Sequence, residues 1–249
     1  METSVSSKPE DAAKVVSLSG SPIYQHGEAL PWAAPPGEEY IEQISDHIEK
    51  HLGPIETVFH ELASDKVHID VHVVRPTADF PYVRLVTSGM SDLPMRTPED
   101  PRLPKYAELL ITLPADWKLA PADMQDERWY WPIRLLKVLA RLPHEFQTWL
   151  GLGHTVPNGD RAVPYAENTK FCGALVVPSV TVPEGFHTLA IPDVKEISFY
   201  AVVPIYEREM NLKLRSGLDA LLERFDKHGV SDIVEPGRKD TAARRFGLW

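Results

Sequence analysis

The chain has 249 residues, with 26 Lys or Arg against 36 Asp or Glu, a formal net charge of −10. With 43% apolar and 25% charged residues its composition is that of an ordinary globular protein, which excludes a disordered, collagen-like or coiled-coil chain. Size scaling gives a folded surface of roughly 11,000 Å² against about 41,000 Å² unfolded, so one large domain or two small ones can be buried. An acidic chain without a long Lys/Arg run does not suit nucleic-acid phosphates, and a basic protein partner fits it better. A membrane span needs about 20 apolar residues in succession; the longest charge-free stretches, 15–27 and 171–183, are shorter and interrupted, so no membrane role is expected. The N-terminus has no basic, then apolar, leader pattern, and the lone Cys172 excludes an intrachain disulfide, which points to the cytoplasm.

In chain order, residues 1–36 mix Ser, Pro, Gly and Ala without period and read as a flexible N-terminal extension. Tyr40, Ile41, Ile44, Ile48 and Leu52 then recur at three and four residues before Gly53-Pro54, which predicts a helix. Ile55 to Leu62 and Val67 to Val73 read as paired strands, the second placing His68, Asp70 and His72 on one face. Tyr82–Thr87, Tyr106–Leu113, Phe171–Val177 and Glu196–Val203 give further strands. Between them Trp131-Pro132 opens a helix whose buried stripe, Ile133 to Leu142, ends at Pro143. A last, longer helix is expected from about Tyr206 to His228 with Gly229 as its C-terminal cap, and 235–249 reads as a basic tail. Helices and strands do not alternate regularly, so the expected fold is α+β: a mixed, mainly antiparallel sheet of five or more strands with flanking helices, over residues 37–234.

Several short motifs carry residue types that chemistry uses. His68, Asp70 and His72 have the residue types of a metal set and lie about 7 Å apart along a strand face, but no further ligand can be assigned, and an exposed polar face is the better reading. Cys172 with His154 and Asn158 or Asn168 has the types of a thiol site, yet its aliphatic neighbours favour packing. Gly89-Met90-Ser91-Asp92-Leu93 fails as a nucleophile elbow, because Leu93 stands where Gly is needed and Pro94 follows. Gly151-Leu152-Gly153-His154 lacks the third glycine of a dinucleotide loop and follows a helix. Glu207 and Glu209 read as solvated helix charges. What remains are three polar-aromatic loops, Thr87–Met95, Trp149–Gly159 and Pro164–Thr169, which are either a functional surface or ordinary turns.

At these loops the chain resembles the suppressor of fused family, in its single-lobe bacterial form. The matching pieces include Ser88-Gly89-Met90-Ser91-Asp92 with Pro94-Met95, Tyr106-Ala107-Glu108-Leu109, Leu113-Pro114-Ala115-Asp116-Trp117 and Trp131-Pro132-Ile133-Arg134-Leu135-Leu136. They continue through Thr148-Trp149-Leu150-Gly151, Gly153-His154-Thr155, Pro157-Asn158-Gly159, Tyr165-Ala166 with Asn168-Thr169, and Pro204-Ile205-Tyr206 with Glu209-Met210. The resemblance implies a protein-binding module rather than an enzyme. The animal protein is two-lobed and clamps a peptide of a transcription factor as an added strand; this chain looks like the first lobe alone. Single-lobe bacterial relatives are associated with toxin systems as immunity proteins, so the implied partner is a protein such as a basic toxin domain, without a cofactor. The implied partner-binding residues are Ser88, Gly89, Met90, Ser91, Asp92, Glu108, Trp149, His154, Thr155, Asn158, Tyr165 and Asn168. Among them Asp92 and Glu108 are anionic anchors, Met90, Trp149 and Tyr165 apolar contacts, and His154 a polar one. The alternative is an enzyme with His154, Asp92 and Glu108 around one pocket, together with Cys172.

Overall fold

A computed structural model describes residues 15–27, 40–60 and 68–243. It comprises β1 Val15–Val16, β2 Pro22–Ile23, α1 Ile41–Leu52, β3 Ile55–Phe59, β4 Asp70–Val74, β5 Tyr82–Ser88 and β6 Tyr106–Pro114. Then follow α2 Glu127–Glu145, β7 Thr155–Pro157, β8 Gly173–Val177, β9 Thr188–Ile191, β10 Lys195–Ile205, α3 Glu207–Ser216 and α4 Leu218–His228. Strands β3 to β10 form one sheet in the order β3-β4-β5-β6-β10-β8-β7, with β9 paired to the first half of β10. Among the described strands only β6 and β10 pair in parallel, so the fold is α+β with a mainly antiparallel sheet. Strands β1 and β2 make a separate small hairpin.

Side chains alternate across a strand, so each strand feeds two layers. Val71, Val73, Val83, Leu85, Leu109, Ile111 and Val202 pack against the Trp131, Leu135, Leu136 and Leu139 stripe of α2. Val74, Val86, Leu110, Phe199 and Ala201 face the other way, against Ile44, Ile48 and Leu52 of α1. Farther along that second face Leu175, Val203 and Ile205 meet Met210, Leu221 and Phe225 of α3 and α4. The centre of the sheet is therefore covered on both faces. This overturns the reading of His68, Asp70 and His72 as an exposed polar face: His72 is fully buried and bonds Ser88 Oγ at 2.9 Å, while Asp70 turns to His60 at 2.9 Å. Among the described residues no group of three His, Cys, Asp or Glu side chains is placed to hold a metal ion. Strand residues Leu62 and Val67 lie outside the described residues.

Three helix expectations are corrected. The second helix does not open at Trp131-Pro132 but at Glu127, where the Asp126 side chain accepts from the Arg128 N–H as N-cap, and it continues through Pro143 to Glu145. Pro132 thus sits inside the helix and cannot donate to the Arg128 carbonyl; Asn168 Nδ2 supplies that hydrogen bond instead, at 3.1 Å. The last helix is two, because Gly217 adopts φ 92°, a conformation that favours glycine, and ends α3 while its N–H still bonds the Lys213 carbonyl. The apolar stripe runs on across this break, which is why periodicity alone joins the two helices. Finally, Glu209 is not a solvated charge: it is fully buried, its carboxylate held bidentately by Arg238 at 2.6 Å and by the Thr241 N–H and hydroxyl. The residues after Val234, read as a tail, therefore include a buried cation that also lies over the Phe171, Tyr206 and Phe225 rings. Among the described residues no helix is long and apolar enough to cross a membrane.

Candidate functional site

The three loops singled out by sequence lie beside the sheet, and their residues divide into scaffold and surface. In the first, β5 ends at Ser88 and the chain turns through Gly89 at φ 104°, where an added Cβ would stand 2.1 Å from the His68 carbonyl oxygen. Only glycine fits there. The following 3₁₀ turn, Met90–Asp92, is tied from inside. Ser91 donates from its N–H and its hydroxyl to Glu108 Oε1 at 2.9 and 2.7 Å, and the Thr87 hydroxyl donates to Oε2 at 2.6 Å. The Met90 carbonyl accepts from His144 Nε2 at 2.8 Å, and the Ser91 carbonyl from Lys195 Nζ at 2.7 Å. Lys195 in turn lies 3.6 Å from the centre of the Tyr40 ring. Met90, Ser91 and Glu108 are fully buried and Ser88 nearly so, whereas Asp92 is half-buried at the turn's edge. Burial pushes the Glu108 carboxyl up to about 7, against the pull of its Thr87 and Ser91 donors; the nearby Asp92 charge adds to the rise.

The second loop carries Trp149 and His154 between α2 and β7. His154 is fixed by its backbone, its N–H bonding the Gly151 carbonyl and its C=O accepting from Val176, while its ring meets the Trp149 ring edge-on at 4.2 Å. Burial and the Lys213 charge push its imidazole down to about 4, so it is neutral near pH 7. Thr155 starts β7, opposite Leu175 of β8. Asn158 closes the next turn: its N–H bonds the Cys172 carbonyl and its Nδ2 donates to Val163 O at 2.8 Å. The Cys172 thiol is buried, and burial together with the Glu207 charge raises its pKa, so it is not poised as a thiolate.

In the third loop Tyr165 is buried and stacks on Trp131 at 5.3 Å and 7°, and its carbonyl accepts from Arg134 at 2.9 Å. Asn168 is exposed except for its bond to the Arg128 carbonyl. Beside them the start of α2 and residues 164–167 enclose an open groove of about 660 Å³, whose charged lining is Asp126, Glu127, Glu167 and Arg128.

Two members of the alternative catalytic set are engaged by their own surroundings. Glu108 has both oxygens engaged by Thr87 and Ser91 in the sheet, whereas the His154 ring packs between Trp149 and Tyr24 near α3. Sequence reasoning passed over Tyr24 and His26, the groove, and Arg84, a fully buried cation of β5 that donates to the Thr181 carbonyl and lies over the Phe80 ring. A signal for Arg84 existed: a cation within the aliphatic run Val83 to Val86 requires a buried partner if both sheet faces are covered.

The family profile described as suppressor of fused protein matches residues 65–239, most of the chain. The chain belongs to the suppressor of fused family. No curated relative matches it. Among solved structures, a suppressor of fused homologue from Neisseria gonorrhoeae shares its fold at a TM-score of 0.62 and 18% identity, over 84% of this chain and 100% of that one. A chain of the Sufu–Fu complex shares it at a TM-score of 0.57 and 16% identity, over 83% of this chain and 93% of that one. At such identities the likeness is one of fold. The matched span runs through Arg238 and so includes both members of the Glu209–Arg238 pair.

Proposed function

We propose that this suppressor of fused protein is a cytoplasmic binding module that recognises a basic partner protein, in the manner of an immunity or regulatory protein neutralising a toxin. The observation that carries the reading is the family membership, in a fold shared with a chain of the Sufu–Fu complex. The charge of the chain supports it, since a protein of net charge −10 steers and retains a cationic partner. The exposed or half-buried residues Asp92, Trp149, His154 and Thr155 serve as contacts, with Glu167 and its neighbours in the acidic groove. Ser88, Gly89, Met90, Ser91, Glu108, Asn158, Tyr165 and Asn168 act as the scaffold that holds these contacts in place. Binding is favoured over catalysis because both Glu108 oxygens are taken up by Thr87 and Ser91, and the His154 ring packs against Trp149 and Tyr24.

The test is co-purification with the tagged chain from lysate of its own organism, followed by titration of the purified partner with the wild type and with Trp149→Ala and Glu167→Lys variants. A stoichiometric basic protein whose Kd rises at least tenfold with either variant supports the reading. A partner that binds both folded variants with unchanged affinity removes the site, and the absence of any stoichiometric partner removes the function.

A further inference from the structure

Residues 17–27 lie across the surface that contains Trp149 and His154. The turn of the β1–β2 hairpin caps the end of α3: Ser19 donates its N–H to the Leu214 carbonyl at 3.1 Å and its hydroxyl to the Lys213 carbonyl at 3.3 Å. The final carbonyls of a helix lack partners within the helix, so the Ser19 N–H supplies the Leu214 carbonyl with one, while the Lys213 carbonyl, already bonded by the Gly217 N–H, gains a second. From β2 the chain continues to Tyr24, whose hydroxyl accepts from the Trp149 indole N–H at 3.3 Å and whose ring lies 5.9 Å from that of His154. Two residues on, His26 stacks on Phe146 with ring centres 5.0 Å apart and planes at 27°. Residues two apart in an extended chain face the same side, so one edge of the segment presents both rings to the domain.

The attachment is shallow. Each strand of the hairpin is two residues long, and a two-stranded hairpin is marginal by itself. Val15, Val16 and Leu18 remain 49%, 58% and 86% exposed, and Tyr24 stays 40% exposed. The surface beneath is built more firmly. Trp149 abuts Gly151, where an added Cβ would lie 3.0 Å from the indole, and His154 is bonded through its backbone to Gly151 and Val176. A preformed aromatic surface under a weakly held segment of the same chain is the arrangement of a site occupied in cis.

We propose that residues 21–27 are a self-supplied occupant of a docking surface made by Phe146, Trp149 and His154, and that a partner binds there by displacing them with an extended segment carrying aromatic side chains at alternate positions. The proposal rests on the protein-binding reading and deepens it. A tethered occupant competes at a high effective concentration, so the apparent affinity for the partner is reduced by the fraction of chains in which the segment is lifted. Removing the Tyr24 and His26 rings raises that fraction.

The experiment compares the full wild-type chain with the full chain carrying Tyr24→Ala and His26→Ala. The probe is a fluorescein-labelled peptide of residues 21–27, with a control peptide in which the same two positions are Ala. By anisotropy the variant chain is expected to bind the native peptide at least tenfold more tightly than the control peptide, and at least tenfold more tightly than the wild-type chain does. Hydrogen exchange of the wild type is expected to show the amides of 19–27 exchanging at least a hundredfold faster than those of β5 and β6. Equal binding of the two peptides, equal binding by the two chains, or protection of 19–27 matching the sheet would overturn the proposal. Failure here is separable from failure of the binding function: a partner isolated as above that binds wild type and variant with one Kd leaves the module a binder and the segment a structural element.

Discussion

Glu108 shows how one residue's burial becomes a property that can be measured. Its carboxyl, raised from 4.5 to about 7 by desolvation, takes up a proton on folding between those values, so its contribution to stability is greatest below about pH 4.5 and falls as pH rises toward 7. His72 and His154 act in the opposite sense. Burial lowers each from 6.5 to about 4, so the unfolded chain binds more protons and stability rises from pH 4 to 6.5. Glu108→Gln isolates the first effect. The amide can donate to Thr87 Oγ1, which can then turn its own proton to the Leu109 carbonyl at 3.3 Å. Relative to wild type, the variant is expected to gain about 3 kcal/mol between pH 4.5 and pH 8 in urea denaturation, the size of the removed shift. Parallel pH profiles for the two proteins would show that Glu108 is ionised throughout.

At the scale of elements, α2 carries a proline in its interior and recruits a loop to repair the consequence. Asn168 donates to the carbonyl that Pro132 leaves without a helical donor, which ties the 164–169 loop to the first turns of α2. Asn168→Ala is therefore expected to cost about 1 kcal/mol in the wild-type background and close to nothing once Pro132→Ala restores the helical bond. A double-mutant cycle read by chemical denaturation checks this, and additive effects would contradict it. The same logic explains which elements were legible. The α1 stripe and its Gly53 stop, and the aliphatic runs of β5 and β6, record burial that the element itself defines. The Gly217 break was not legible because the apolar period continues on both sides of it, and the early start of α2 was hidden because Asp126 caps a first turn with little apolar pattern.

For the whole molecule, the consequential contact joins α3 to the end of the described chain. Glu209 and Arg238 are 29 residues apart and both buried, with Arg238 also over three aromatic rings. Burial alone would raise the Glu209 carboxyl, but Arg238 and the Tyr206 and Thr241 N–H groups outweigh it and hold it low. Arg238→Ala would leave a buried carboxylate without its cation, a loss of about 3–5 kcal/mol, measurable as a lower urea midpoint. Arg238→Met and Glu209→Leu together are expected to recover much of that loss, because an apolar pair avoids the desolvation cost. If Arg238→Ala shifted the midpoint no more than an exposed Arg does, the residues after Val234 would be a tail after all.

The sequence by itself determined the α+β class, the positions of most strands, the acidic character of the chain and its resemblance to the suppressor of fused family. Each of these is written in periodicity, composition or short motifs, none of which depends on which distant residue becomes a neighbour. Only the tertiary structure decided that Met90, Ser91, Glu108 and Tyr165 are interior supports, that Glu209 is an ion-paired core residue, and that Tyr24 and His26 lie over Phe146, Trp149 and His154. The physical reason is that a polar or aromatic side chain has no fixed address: its burial depends on whether a partner arrives to satisfy it, and here those partners come from 17 residues away for Ser91 and 125 for Tyr24.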